Sequence, residues 1–462
     1  MAPSLEAQFH KDAAIKAGDL THRDKILRAI GVNDEKIEAL KASQFRDWEA
    51  ARKLAGEIKD EAQARLPELL ESFERGINAR GGKVLWAEDA AEARHHVLEI
   101  ARRHNARSFI KSKSMTTEEL DLNEFLEGAG MKVFESDLGE LIVQLAGQKP
   151  YHIITPAMHM SKDDIAKLFH EKLGSDRDAG AAELTMIARR LLRKEFVSAD
   201  VGVTGANFLI ADEGAVVVLE NEGNARLAMA CPRVHIAIGG IEKVLPRMSD
   251  LALFLPLLST SGTGQQVTCY NSIVRGPRAE GEADGPEHFY VILLDNGRSR
   301  LYGREPFRQA LRCIRCGACL NACPVFRAVG GHTYGTTYQG PIGSVITPHL
   351  RGNGQWHHLP YASSLCGSCT SVCPVNIDLH HLLLENRRDA DERRELGRFW
   401  PLAMKAWAWV MARRERVEWA GRLARWGEGL TPLFVPRRKR KRIPPLARRS
   451  FAEEWRRHEH SR

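Results

Sequence analysis

Seven cysteines within 61 residues constrain this 462-residue chain more than any other feature of its sequence. The first four follow the pattern Cys-x2-Cys-x2-Cys-x3-Cys-Pro and are Cys313, Cys316, Cys319 and Cys323. The last three follow the pattern Cys-x2-Cys-x3-Cys-Pro and are Cys366, Cys369 and Cys373. Runs of this kind hold iron–sulfur clusters, because two-residue gaps let one tight loop present three thiolates to a single cluster. The spacing therefore predicts two [4Fe–4S] clusters in one segment.

The cysteine that precedes proline ligates the neighbouring cluster in two-cluster ferredoxins, and this rule assigns the ligands. The first cluster takes Cys313, Cys316, Cys319 and Cys373. The second cluster takes Cys323, Cys366 and Cys369. It lacks one cysteine, and Ser363 occupies the position where a complete motif would have it. Three alternatives remain open: Ser363 or another oxygen or nitrogen group is the fourth ligand, the fourth iron carries water or a small molecule, or the site holds three irons. We favour a [4Fe–4S] cluster with a non-cysteine fourth ligand.

Other cysteine chemistries explain the pattern less well. Structural zinc sites use four ligands in paired Cys-x2-Cys units and do not require the four-cysteine run before proline. A disulfide scaffold is untypical of so long a chain without an export signal, and the charged N-terminus has no apolar signal region. We interpret the chain as cytoplasmic. The separate Cys231 and Cys269 are expected to be small buried side chains.

The rest of the chain divides into three further segments. Residues 1–68 are charged and rich in Ala and Leu, which predicts a helical N-terminal arm that covers the next domain; the longest helix is expected over residues 43–76. Residues 69–300 alternate between strand and helix patterns, so they predict an α/β domain with a largely parallel sheet. Residues 301–384 form the cluster segment, and residues 385–462 predict a Trp-rich, basic, helical C-terminal domain. Predicted strands include KVLWA, SFIKSKS, KVFESD, LIVQL, HIITP, FLIADEGAVVVLE and RVHIAIGG.

The positive charge is confined to the C-terminal segment. Residues 385–462 contain 22 Lys and Arg against 11 Asp and Glu, whereas the remaining chain has 45 basic and 48 acidic residues. Because the body is not basic, we predict no nucleic-acid partner. The run RRKRKR at 437–442 and the Trp-rich helix before it fit a partner-docking surface, an anionic membrane surface or a solvated basic end.

Several longer segments resemble the lactate utilisation protein B family of bacterial iron–sulfur proteins. They include KSKSMTTEELDLNEFLEGAG, TGANFLIADEGAVVVLENEGNARL, CIRCGACLNACPVFR, GGHTYGTTYQGPIGSVITP and LCGSCTSVCPVNID. The resemblance covers most of the chain, and the family also has the three-cysteine second motif. It implies a LUD domain, similar to the CoA-transferase and sugar-phosphate isomerase α/β fold, followed by a mainly helical ferredoxin-like dicluster domain.

The resemblance further implies a function and partners. The chain would be the redox subunit of a complex that oxidises L-lactate to pyruvate, and would act with a second LUD protein and an iron–sulfur protein that has CCG-type domains. A peripheral place at the inner membrane face would suit a quinone-linked acceptor. The alternative is that the LUD region itself binds and transforms a carboxylate or an acyl-CoA, with Glu140, Glu220 or Glu222 in its cleft. The Gly-rich TSGTGQQ at 260–266 is either a tight strand connection or an anion-binding loop.

Overall fold

The computed structural model describes residues 4–393, 399–427, 447 and 449–459, which form two compact units. The larger unit is Met1–Arg388 and the smaller is Asp389–Arg462.

The N-terminal arm consists of four helices. They are α1 (Leu5–Gly18), α2 (Leu20–Gln44), α3 (Trp48–Ala64) and α4 (Leu66–Ala79). The single helix expected over 43–76 is wrong, because α3 begins where the Asp47 carboxylate accepts a hydrogen bond from the Ala50 N–H. Pro67 has no N–H to donate, and it lies in the first turn of α4, where a helix tolerates that loss. Phe9, Ile26 and Ile58 of the arm share one hydrophobic core with the cysteine segment.

Ten strands and nine further helices follow. The strands are β1 (Lys83–Ala87), β2 (Ser108–Lys111), β3 (Lys132–Glu135), β4 (Val201–Gly205), β5 (Phe208–Ile210), β6 (Ala215–Glu220), β7 (Val234–Gly240), β8 (Val244–Leu245), β9 (Tyr270–Val274) and β10 (His288–Leu294). The helices are α5 (Ala90–Arg103), α6 (Met115–Glu119), α7 (Leu122–Gly128), α8 (Leu138–Leu145), α9 (Lys162–Leu173), α10 (Ala181–Ser198), α11 (Asn224–Ala230), α12 (Leu251–Thr263) and α13 (Arg298–Tyr302).

The main sheet has six parallel strands in the order β1-β10-β7-β4-β2-β3, which confirms the predicted α/β class. Every residue of the central strand β7 is buried, because helices cover both faces. Val234, Ile236 and Ile238 enter one core, and Ala237 enters another. A second sheet has four strands in the order β8-β5-β6-β9. It is mixed, because β5 pairs with β8 in parallel and β6 pairs with β5 and β9 in antiparallel fashion.

Two predicted strands are wrong. The apolar run LIVQL belongs to helix α8, since Asp137 precedes it and its carboxylate accepts a hydrogen bond from the Glu140 N–H. This N-cap outweighs the β-branched residues of a short run. The segment HIITP at 152–156 forms a turn in which the Tyr151 N–H donates to the Pro156 carbonyl.

The cysteine segment is built from short helices. They are α14 (Ala318–Asn321), α15 (Pro324–Val329), α16 (Gly340–Arg351), α17 (Asn353–Trp356), α18 (Ser368–Ser371) and α19 (Leu379–Glu392), with 3-10 turns at Phe307–Arg312, His332–Tyr334 and Leu359–Tyr361. This mainly helical segment agrees with the predicted dicluster architecture.

The smaller unit is helical, as predicted. It contains α20 (Phe399–Met411), α21 (Arg414–Gly427) and α22 (Phe451–Glu459). Six large aromatic side chains that the structure describes in this unit are more than half exposed: Trp407, Trp409, Trp419, Trp426, Phe451 and Trp455. The basic run at 437–442 lies outside the described residues, as does the side chain of Trp400. Among the residues described here, no helix has the length and apolar character needed to span a bilayer.

Candidate iron–sulfur centres and the adjoining cleft

The first cysteine loop turns back on itself at two left-handed residues. Arg315 has φ +63° and Gly317 has φ +78°, and α14 begins directly after Gly317. The Arg315 N–H donates to Cys313 Sγ at 3.4 Å. A Cβ on Gly317 would lie 3.1 Å from both His152 Cε1 and Ile154 Cγ1, so glycine also permits close packing there.

The second loop repeats this backbone fifty residues later. Leu365 has φ +55°, Gly367 has φ +82°, and α18 begins directly after Gly367. The Leu365 N–H donates to Ser363 Oγ at 3.1 Å, just as the Arg315 N–H donates to the Cys313 sulfur. Ser363 therefore holds its hydroxyl in the position of the loop that Cys313 fills with its thiol.

The seven thiols interact electrostatically in two groups. Cys319 interacts with the sulfurs of Cys313, Cys316 and Cys373. Cys369 interacts with Cys323 and Cys366. The two loops thus exchange their last cysteines in space, and the grouping is the one that the ferredoxin rule predicts. Ligation itself stays a prediction.

Burial gives the two groups a chemistry that suits a metal cluster. Cys316, Cys319, Cys323, Cys369 and Cys373 are all buried. Burial raises the pKa of Cys369 and of Cys373 to about 11, so these thiols stay protonated at neutral pH unless a cation binds them. Cys313 is half-buried and Cys366 is exposed.

The sulfur spacing speaks against a single zinc ion. All seven cysteines are described, and no three of their sulfur atoms lie within 4.8 Å of one another. A tetrahedral zinc ion with Zn–S bonds of about 2.3 Å would hold its sulfurs roughly 3.8 Å apart. A donor set of cysteine sulfurs alone, in one group of four and one of three, fits iron–sulfur clusters.

Arg52 is a part of this site that the sequence analysis missed. This buried residue of α3 donates from Nε to the Cys373 carbonyl at 2.9 Å, from Nη1 to the Ser371 carbonyl at 2.9 Å and from Nη2 to the Thr370 carbonyl at 2.7 Å. The N-terminal arm thereby fixes the end of the second loop. The signal available in the sequence was an arginine on the same helical face as Ala55 and Lys59, both of which are buried.

The other expectations about cysteines and carboxylates have mixed outcomes. Cys231 and Cys269 are exposed, so their predicted burial is wrong. Glu140 is buried away from the cleft, where burial and the charge of Glu135 raise its pKa well above the usual value. Glu220 and Glu222 do line a cleft.

That cleft has a volume of about 320 Å³ and lies at the carboxyl ends of the parallel strands. The residues that follow β2, β3, β4 and β7 contribute Lys113, Asp137, Asn207 and Lys243 to its lining. The dicluster segment contributes Arg315 and Tyr338. Ligands of open α/β sheets bind at this edge, so the position is that of a small-molecule site.

The TSGTGQQ segment does not form a free Gly-rich loop. Its residues 260–263 are the last turn of α12, and Gly264 ends that helix with φ +65°. A helix C-terminus carries negative partial charge, which disfavours anion binding there. Gly262 packs against the first cysteine loop, because a Cβ on it would lie 3.1 Å from the Cys316 carbonyl oxygen.

Comparison with known proteins defines the class first. Residues 70–294 match the LUD domain and residues 309–377 match a 4Fe-4S dicluster domain. The chain is therefore a LUD-domain protein with an iron–sulfur dicluster segment.

Curated relatives then identify the family. The chain is 44% identical over 382 residues to lactate utilization protein B of Shouchella clausii, which covers 82% of this chain and 80% of that protein. It is 47% identical over 343 residues to lactate utilization protein B of Macrococcus caseolyticus, with 74% and 72% covered. The chain belongs to the lactate utilization protein B family, which confirms the resemblance. A solved DUF162 family protein from Deinococcus radiodurans matches at 15% identity with a TM-score of 0.29, covering 50% of this chain and 98% of that protein.

Proposed function

We propose that this chain is an iron–sulfur electron-transfer component of a system that oxidises L-lactate to pyruvate. The observation that carries the proposal is the grouping of the thiols, which joins Cys373 to the first loop and Cys323 to the second. Relatives at 42–47% identity carry the name lactate utilization protein B, and this supports the lactate connection.

The proposed ligands of the first [4Fe–4S] cluster are Cys313, Cys316, Cys319 and Cys373. Those of the second are Cys323, Cys366 and Cys369, with Ser363 as the fourth. When bound, each cluster supplies a one-electron redox centre, and two such centres suit the two electrons that lactate oxidation releases. The chain itself supplies N–H donors to the sulfurs, from Arg315 to Cys313 and from Ile377 to Cys373, both at 3.4 Å.

Iron and sulfide analysis with EPR tests the cluster content of anaerobically purified protein. We expect about eight irons per chain, with signals from two interacting [4Fe–4S] centres after dithionite reduction. About seven irons with a strong signal before reduction would instead indicate a three-iron second centre. Zinc without iron would overturn the electron-transfer proposal.

Variants at Ser363 test the fourth ligand of the second cluster. Ser363→Ala should lower the iron content to about seven, because a three-ligand cluster loses its unprotected iron easily, and Ser363→Cys should keep about eight with an altered EPR spectrum. Ser371→Ala is the matched control, since the hydroxyl of this exposed serine bonds only to the Ser368 carbonyl among the described residues, and alanine keeps the Ser371 carbonyl that Arg52 binds. An unchanged iron count in Ser363→Ala would exclude serine ligation.

The proposed partners are a second LUD protein and an iron–sulfur protein with CCG-type domains. Co-purification from cells that express all three chains tests this assembly, and we expect lactate-dependent reduction of the clusters only when all three are present. Recovery of this chain alone would contradict the assembly.

For the smaller unit we propose attachment to an anionic membrane surface as the route to a quinone-linked acceptor, while the chain remains in the cytoplasm. The exposed Trp407, Trp409 and Trp426 support this because aromatic rings favour the bilayer interface. Co-sedimentation with anionic vesicles should be lost when residues 430–462 are removed. Equal sedimentation of both forms would contradict a role for the basic tail.

A further inference from the structure

Three side chains that can ligate a metal ion meet at the start of α19, outside both cysteine groups. Asp378 precedes this helix, and His380 and His381 lie in its first turn. One ligand atom from each residue lies within 4.8 Å of those of the other two. Within the described ranges, no other set of three histidine, cysteine or acidic side chains meets this distance. Neither of the proposed clusters uses these residues.

The Asp378 carboxylate contacts both imidazole rings. Its Oδ2 lies 2.5 Å from His381 Nδ1, and its Oδ1 lies 3.0 Å from His380 Nδ1. The centres of the two rings are 4.1 Å apart, and the ring planes are inclined by 36°. The three side chains therefore place a carboxylate and two ring nitrogens around one small volume.

The contact between Asp378 and His380 is not a hydrogen bond. Asp378 Oδ1 is buried and has no hydrogen-bond partner among the described residues, whereas His380 Nδ1 bonds to Thr370 Oγ1 at 2.8 Å. Two atoms that each lie about 2.1 Å from one metal ion are roughly 3.0–3.4 Å apart. The 3.0 Å contact therefore has the spacing of neighbouring ligands, and a metal ion would give the buried oxygen the partner that it lacks.

We propose that Asp378, His380 and His381 bind one divalent transition-metal ion of the Zn²⁺ class. Imidazole nitrogen suits such ions, whereas Ca²⁺ and Mg²⁺ prefer ligands that are all oxygen. The side chains of His381 and Asp378 are 63% and 42% exposed, so an ion can enter from solvent. Three protein ligands leave at least one coordination position for water. This inference goes beyond the proposed iron–sulfur function and does not depend on it.

Hydrogen bonds join this site to the second cysteine loop. Thr370 follows Cys369, and its hydroxyl oxygen bonds to His380 Nδ1 and accepts from the His380 N–H at 3.2 Å. The Asp378 N–H donates to Gln309 Oε1 at 3.0 Å. Because these bonds already hold two of the ligand residues, binding requires little further ordering of the chain. A bound ion would in turn fix the start of α19 and raise the Tm.

Calorimetry with Zn²⁺ on the full-length, iron-loaded protein under anaerobic conditions tests the site. We expect one ion per chain with a Kd at or below about 10 μM, a higher Tm and no loss of iron. Ca²⁺ at about 1 mM should not displace the ion, because the site offers two nitrogen ligands. A weaker affinity for Zn²⁺, or a site that Ca²⁺ fills equally well, would overturn the proposal.

Variants separate this site from zinc that binds to any exposed histidine. Asp378→Asn and His381→Ala should each weaken Zn²⁺ binding at least about tenfold and keep the iron content. His95→Ala is the matched control, because the His95 side chain is 61% exposed, is followed by His96 and lies 3.3 Å from Glu99. Unchanged affinity in both site variants, or an equal loss in His95→Ala, would indicate an adventitious ion only and overturn the proposal.

X-ray absorption at the zinc edge covers the case in which a site variant fails to fold. The unmodified, iron-loaded protein with one equivalent of Zn²⁺ should show only nitrogen and oxygen ligands, at about 2.0–2.2 Å, with the outer-shell scattering of imidazole. Sulfur ligands at about 2.3 Å would place the zinc on cysteines and refute the site.

Discussion

The two cysteine loops have the same backbone but different surroundings. Both place a left-handed residue and a left-handed glycine at matching positions. Gly317 of the first loop is closed in by His152 and Ile154, whereas a Cβ on Gly367 would meet no described atom within 4 Å. Cys316 is buried, but its counterpart Cys366 is exposed. The spacing of the cysteines thus determines the loop, while the rest of the chain determines the environment of its sulfurs.

The charged side chains near the sulfurs also differ between the two loops. Cys313 interacts with three cationic side chains, Lys59, Lys243 and Arg315. In the second group, burial raises the pKa of Cys323, and the charge of Arg327 opposes this rise. One site is enclosed and cationic beside the sheet-edge cleft, and the other opens to solvent. We therefore expect a protein partner to approach the second site, where Cys366 is exposed.

Cysteine variants should have the largest effect among the tests of this comparison between the two loops. Cys373→Ala should remove the first cluster and about four irons, although Cys373 belongs to the second loop in sequence, and Cys366→Ala should affect only the second cluster. Iron analysis and EPR distinguish the two results. Cys269→Ala is the control, since this exposed cysteine lies outside both groups. Loss of the second cluster alone in Cys373→Ala would refute the exchange between loops.

The next largest effect is expected at Arg52, whose hydrogen bonds join the N-terminal arm to the second loop. Arg52→Met leaves three carbonyl groups without their donor and should lower the free energy of unfolding by about 3 kcal/mol. Denaturant titration of the iron-loaded protein measures the change. Lys53→Met on the same helix should change it by less than about 0.5 kcal/mol, because Lys53 is exposed. Equal stability of the two variants would show that Arg52 does not hold the loop.

Alanine at the two matching glycines measures the difference in packing directly. Both substitutions introduce the strain of a left-handed residue, about 1–2 kcal/mol. Gly317→Ala adds a close contact with His152 and should cost about 1 kcal/mol more than Gly367→Ala. Thermal unfolding of the two variants gives the comparison, and equal costs would contradict the enclosed environment of the first loop.

The smallest expected effect concerns pH and His152. Burial lowers the pKa of this histidine to about 3, and its Nδ1 accepts from the Ile154 and Thr155 N–H groups. Below pH 6.5 this histidine binds a proton in the unfolded chain but stays neutral in the folded chain. The free energy of unfolding therefore falls as the pH decreases. Between pH 7 and 5.5 the loss should be about 1 kcal/mol. His152→Asn should lack this share of the pH dependence, and an identical slope in both proteins would contradict it.

Prediction from the sequence succeeded where the signal is local. Cysteine spacing, β-branched runs such as RVHIAIGG and the alternation of strands with helices led to the dicluster segment and the parallel sheet. It failed for LIVQL because one capping carboxylate at Asp137 decided between two structures that the apolar run allows equally.

The site residues that were missed depend on contacts between distant parts of the chain. Arg52 lies more than 300 positions from the carbonyls it binds, and Lys243 meets Arg315 only because the sheet edge faces the first loop. Neither Arg52 nor Lys243 belongs to a motif. Glu222 was predicted from its place after a strand. Its carboxylate accepts a hydrogen bond from the Leu138 N–H, and no pattern in the sequence indicated this distant contact.

The exchange of Cys323 and Cys373 between the loops has a consequence for biosynthesis. With the proposed ligands, the first metal site is complete only when the ribosome has passed Cys373, although its first three ligands emerge some 54 residues earlier, and the second site is complete only at Cys369. Cofactor loading would therefore wait until both loops have been synthesised, and truncation before Cys366 would leave both sites short of ligands at once.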